Sequence, residues 1–99
     1  MKIIWSTLAM ERVVEIGEYI ARDRANAAAD WVAGIFAAVR PLARFPRSGR
    51  PVPESARTDL REIIYESHRV VYRTDPDQVV ILTVRHTRQE FRSDDPDLT

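Results

Sequence analysis

Cysteine is absent from this 99-residue chain, which excludes a disulfide framework and any thiolate metal site. Its two histidines, His68 and His86, are too far apart to suggest a zinc motif, so neither a metal nor a cofactor is expected. Lysine is nearly absent too: Lys2 stands alone, and arginine supplies the rest of the 15 basic side chains. No run approaches the roughly 20 apolar residues of a membrane span, and no signal-peptide core follows Lys2. A cytoplasmic protein without a membrane partner is the expectation. Net charge is also missing, since 15 basic residues balance 15 acidic ones, and this argues against coating nucleic acid by bulk electrostatics.

What is present is a chain 44% hydrophobic and 30% charged, the size of one domain over residues 1–99 with a polar, acidic tail from about 90. A domain this small buries only about 60 to 70% of its unfolded surface, so a bound partner would raise its stability readily. The zero net charge hides segregation. Residues 40–73 carry 8 basic and 4 acidic side chains, whereas residues 74–99 carry 3 and 6. Arginine suits bidentate contact with carboxylate or phosphate, although an isolated surface arginine usually just sits in water.

The hydrophobic pattern predicts the order β-α-α-β-β-β. Lys2 to Ser6 reads as a short strand, and Ser6 or Thr7 can cap the helix that follows. From Leu8 to about Arg22, Ala9, Val13, Ile16 and Ile20 recur at helical spacing. Asn26 is the expected cap of a second helix carrying Trp31, Val32, Ile35, Phe36 and Val39, and Pro41 should end or kink it. The Pro- and Arg-rich loop that follows, about fifteen residues long, reads equally as a functional segment or as a bridge across the base of the domain.

Three strands then form a meander. Glu66 and Ser67 make a tight turn between the first two, and Thr74 to Asp77 turns into the third. Val79 to Val84 is apolar on both parities, as in a central strand buried on both faces. The helical hairpin can cover only one face of the sheet. The tail from Glu90 to Thr99 looks too polar to cover the other, and a partner is the expected cover.

Trp5-Ser6, Tyr19-Ile20-Ala21, Pro46 with Gly49-Arg50, Leu60-Arg61-Glu62, His68 to Arg73 and Val84 to Arg88 follow one another over about eighty residues in an order that resembles the RelE/ParE superfamily of bacterial toxins. The resemblance implies an α+β fold, with an antiparallel sheet packed on one face by the N-terminal helical hairpin. It also implies a growth-inhibiting toxin of a type II toxin-antitoxin system, neutralised by a cognate antitoxin that alone would connect it to operator DNA. YESHRVVYR and VVILTVRHTRQ look more like the ParE branch, whose members bind and block DNA gyrase and are linked to plasmid stabilisation. The alternatives are a RelE-like, ribosome-dependent mRNA endonuclease and a non-toxic antitoxin-binding protein.

For a nuclease, the resemblance nominates Arg69 and Arg88 as phosphate-stabilising groups, with His86 as an acid or base. A histidine at a strand end is more often a hydrogen-bonded structural residue, which is the favoured reading of His86, and no tyrosine follows Arg88. For antitoxin binding, strand parity and charge clustering predict an apolar groove rimmed by Arg61, Arg69 and Arg73, with Tyr65 and Val71 between them.

Overall fold

The computed structural model describes all 99 residues. Strand β1 (Lys2–Trp5) leads into helices α1 (Thr7–Ala21) and α2 (Ala25–Val39), followed by β2 (Arg50–Pro51), β3 (Leu60–Tyr65), β4 (His68–Thr74) and β5 (Gln78–His86). Ser6 caps α1 as its type suggests, its Oγ accepting the Ala9 N–H at 3.0 Å while donating to the Leu82 carbonyl at 3.0 Å. One serine thus starts the helix and ties it to the sheet. Helix α2 begins earlier than Asn26 implied. Arg24 occupies its cap position without a side-chain hydrogen bond, and Asn26 lies inside the first turn. The helix ends where expected, with Pro41 inside a 3₁₀ turn over Arg40–Ala43.

The five strands lie in the order β1-β5-β4-β3-β2. The meander β3-β4-β5 is antiparallel, but β1 runs parallel to β5, with Lys2 opposite Gln78 and Trp5 opposite Ile81. The sheet is therefore mixed, a correction to the antiparallel expectation. The cause is the helical hairpin: α1 and α2 run antiparallel, leaving β1 free to join the far side of β5 in the same direction. Strand β5 is interior, as its two apolar parities predicted. Between β3 and β4, Tyr65 pairs with His68 across a two-residue turn whose Glu66 takes the left-handed φ of 52° such turns demand.

Both faces of the sheet are dry. The helical side holds Ala9, Val13, Trp31, Ile35, Val70 and Tyr72 among its buried core. On the other side Leu60, Val71, Val80 and Leu82 pack under Val52, Phe91 and Leu98. The C-terminal segment therefore supplies the cover assigned above to a partner. Averaged composition concealed this: Phe91 and Leu98 are few among charged neighbours, yet they are 4% and 3% exposed. No helix is long and apolar enough to cross a membrane.

A single tyrosine fastens the long loop to the sheet. The Tyr72 hydroxyl, buried and therefore harder to ionise, donates to the Pro46 carbonyl at 2.8 Å and accepts the Gly49 N–H at 3.0 Å. The approach is so close that a Cβ on Gly49 would stand 2.5 Å from that oxygen and 2.7 Å from the Glu62 carbonyl. Gly49→Ala should therefore destabilise the fold by about 1–3 kcal/mol through overpacking, measured as a lower urea midpoint at unchanged m-value.

Candidate functional site

The residues singled out above fall on opposite sides of the sheet. The β3–β4 register pairs Arg61 with Tyr72 and Glu62 with Val71, which sends Arg61 and Tyr65 to the helical side and Arg69, Val71 and Arg73 to the other. They do not form one groove. Arg61 donates to the Gly49 carbonyl at 2.8 Å and so braces the loop. Tyr65 packs against Trp31, ring centroids 6.0 Å apart, over the notch left by Gly34. Val71 is wholly buried, and Arg73 pairs with Asp75 in the following turn.

Arg69 lies at the centre of an ion network. Its Nη1 and Nη2 donate to both carboxylate oxygens of Glu54 at 2.6 Å, and its Nε donates to Glu62 Oε1 at 2.8 Å. Glu62 Oε2 in turn accepts from Arg50 Nε at 2.7 Å, so two cations and two carboxylates alternate. The Phe91 ring caps the Arg69 guanidinium at 4.8 Å. Arg69 is only 5% exposed, and its guanidinium nitrogens are engaged by Glu54 and Glu62 rather than free for a phosphate. Glu54, Glu62, Arg50 and Phe91 are not among the expected site residues, yet a signal for one of them exists. A two-residue turn at Glu66-Ser67 fixes the register, and parity then puts Glu62 on the same face as Arg69.

Hydrogen bonding from Arg69, opposed by burial and assisted by the Phe91 N–H, lowers the Glu54 carboxyl from its usual 4.5 to about 2. A carboxyl depressed in the folded state contributes stability that is complete above its unfolded pKa and disappears as pH falls through its folded one. Thermal stability should therefore decline between pH 4.5 and about 2. Glu54→Gln should flatten that limb, on the order of 2 kcal/mol allowing for the 20% of the side chain left in water. An unchanged acid limb in that variant would place the effect elsewhere.

The two histidines meet on the helical side. His68 and His86 are cross-strand partners with ring centroids 5.4 Å apart, and Trp31 meets His68 edge-on at 5.2 Å. Burial, and secondarily the neighbouring His86, lowers the His68 pKa, so the neutral ring is favoured there. His86 Nδ1 accepts the Arg88 N–H at 3.0 Å. Arg88 itself is exposed. The histidine pair closes one end of a groove of about 880 Å³ between α1 and the β4–β5 end, with Ile16, Ile20 and Val84 apolar and Arg12 and Arg85 cationic. This groove has the apolar, arginine-rimmed character expected of a docking site, but it is built from different residues.

The ParE toxin model of type II toxin-antitoxin systems matches residues 3–91. The chain belongs to that family. This ParE-family toxin is 41% identical over 92 residues to a Sinorhizobium fredii protein named "Putative toxin Y4kP", covering 91% of the chain and 92% of that relative. Among solved structures, a chain of the chromosomal ParDE system from P. aeruginosa superposes with a TM-score of 0.75 at 20% identity, over 87% of this toxin and 95% of that chain. A chain of the toxin-antitoxin complex RelBE2 from Mycobacterium tuberculosis gives 0.52 at 24% identity, over 86% and 95%. Both share the fold described above.

Proposed function

We propose that this toxin acts by binding DNA gyrase in the cytoplasm, without cleaving nucleic acid, and is neutralised by a cognate antitoxin seated in the α1–β5 groove. One observation carries the reading. Arg69, the strand arginine a nuclease of this fold would use, is enclosed by Glu54 and Glu62 on the face of the sheet opposite His86. A guanidinium already neutralised by two carboxylates has little left to offer a developing phosphate charge. The family assignment points the same way, as do the names of the structural relatives with respect to an antitoxin.

The groove suits a partner segment with apolar side chains along Ile16 and Ile20 and acidic ones that take the place of Asp95 and Asp97 on Arg85, beside Arg12. Purified toxin should inhibit gyrase supercoiling and accumulate cleaved DNA, while ribosome-bound messenger stays intact. Cut messenger with unimpaired gyrase would overturn the proposal in favour of a nuclease. Growth unaffected by induction would point to an inert antitoxin-binding protein.

A further inference from the structure

The family match ends at residue 91, yet the chain continues through Arg92–Thr99 and lays this segment across the second face of the sheet. Its only regular structure is a single 3₁₀ turn over Pro96–Leu98. One apolar side chain, Leu98, anchors it. Its other attachments are polar: Arg85 donates to Asp95 at 3.1 Å and to Asp97 at 2.7 Å, and Thr83 Oγ1 donates to Asp97 at 3.2 Å. Arg12 stands 3.6 Å from the same Asp97 carboxylate, and Arg57 donates to the Leu98 carbonyl at 2.6 Å. The segment is thus an acidic strap laid on an apolar floor of Leu60, Val71, Val80 and Leu82 with arginines at its margin.

We infer that the surface under Arg92–Thr99 is an exchangeable docking site for an acidic, extended peptide segment with one apolar anchor, and that the strap is its resident occupant. Three features support exchange. The outer ion pair, Arg12 to Asp97, is loose at 3.6 Å with 35% of the Arg12 side chain in water and is screened by salt, and Leu98 is the strap's one apolar anchor. A short terminal segment with few buried apolar contacts opens at the low end of the local stability range. Arg12 and Arg85 also line the α1–β5 groove, so a partner lying there would meet the strap's carboxylates as direct competitors. The apolar floor favours a peptide over a nucleic acid, whose backbone has nothing to place against Val80 and Leu82. An antitoxin is the natural source of such a segment, and in that respect alone the inference rests on the function proposed above.

The probe is a synthetic peptide of the strap's own sequence, RSDDPDLT, titrated into isotopically labelled full-length chain and followed by amide chemical shifts. Leu98→Asp unseats the resident strap, so this variant should bind the peptide about tenfold more tightly than the wild type, whose site is open only part of the time. Shifts should centre on Val80 and Leu82, and binding should weaken with salt. Equal affinity for both chains, no binding to either, or tighter binding of a single-stranded oligonucleotide than of the peptide would overturn the inference. Should Leu98→Asp fail to fold, hydrogen exchange in the wild type decides. The Leu98 and Thr99 amides should exchange well before those of β4 and β5, and exchange only through global unfolding would overturn it. None of these readouts involves gyrase or an antitoxin, so the outcome is separate from that of the functional proposal.

Discussion

Arg69→Met should cost the toxin about 3–5 kcal/mol in urea unfolding, because it strips a buried carboxylate of a principal counterion. The Glu62 side chain has no exposed surface, and without Arg69 only Arg50, itself 58% exposed, remains to neutralise it. Glu54 loses its bidentate partner in the same step. The double variant Arg69→Met, Glu62→Met should regain most of that loss, since a buried ion pair exchanged for well-packed apolar groups is often neutral or better. This pair of proteins also separates structure from chemistry. If the double variant folds and still poisons gyrase, Arg69 is a structural residue. If it folds but no longer cuts a messenger that the parent cuts, the catalytic assignment returns. A loss below about 1 kcal/mol in the single variant would show that the network is more hydrated than its geometry indicates.

Phe91→Ala should be of similar magnitude, about 3–5 kcal/mol, the usual range for emptying a buried phenylalanine site. The ring is 4% exposed and lies 4.8 Å from the Arg69 guanidinium and 4.0 Å from that of Arg85, so two cation–π contacts vanish with it. Its backbone N–H also donates to Glu54 at 3.0 Å, which couples the start of the tail to the ion network. Truncation should loosen everything after it and uncover Val71, Val80 and Leu82. The variant should therefore self-associate with rising concentration more than the parent does, detectable by light scattering. A monomeric Phe91→Ala protein of nearly parental stability would mean that the tail contributes little to covering the face.

How far the sequence alone could reach differs from element to element. The recurrence of Ala9, Val13 and Ile16 located α1 within a residue of its ends, because an amphipathic helix writes its burial into its own spacing. Val79 to Val84, apolar on both parities, announced an interior strand correctly. The parallel pairing of β1 was not legible, since four residues carry no mark of the direction of the neighbour they will find. The tail was misjudged because two apolar residues cover a face when geometry places them well, and composition does not record placement. Arg61 and Tyr65 are separated from Arg69, Val71 and Arg73 by the sheet for a related reason. Charge clustering along the chain was read as clustering in space, although the alternation of side chains along a strand divides such a run between two surfaces.

The parallel pairing of the first strand with the last has a consequence for how the toxin comes into being. Lys2–Trp5 leaves the ribosome well before its neighbour Gln78–Ile81, with the helical hairpin and the strands β2 to β4 in between. Contacts so distant in sequence form late, because the loop they close must be ordered before they repay it. A prematurely ended chain lacking β5 would leave β1 unpaired and the α1 face without its floor. Such fragments lack the strand that both β1 and β4 pair with, so the toxin's fold forms only after β5 has been made.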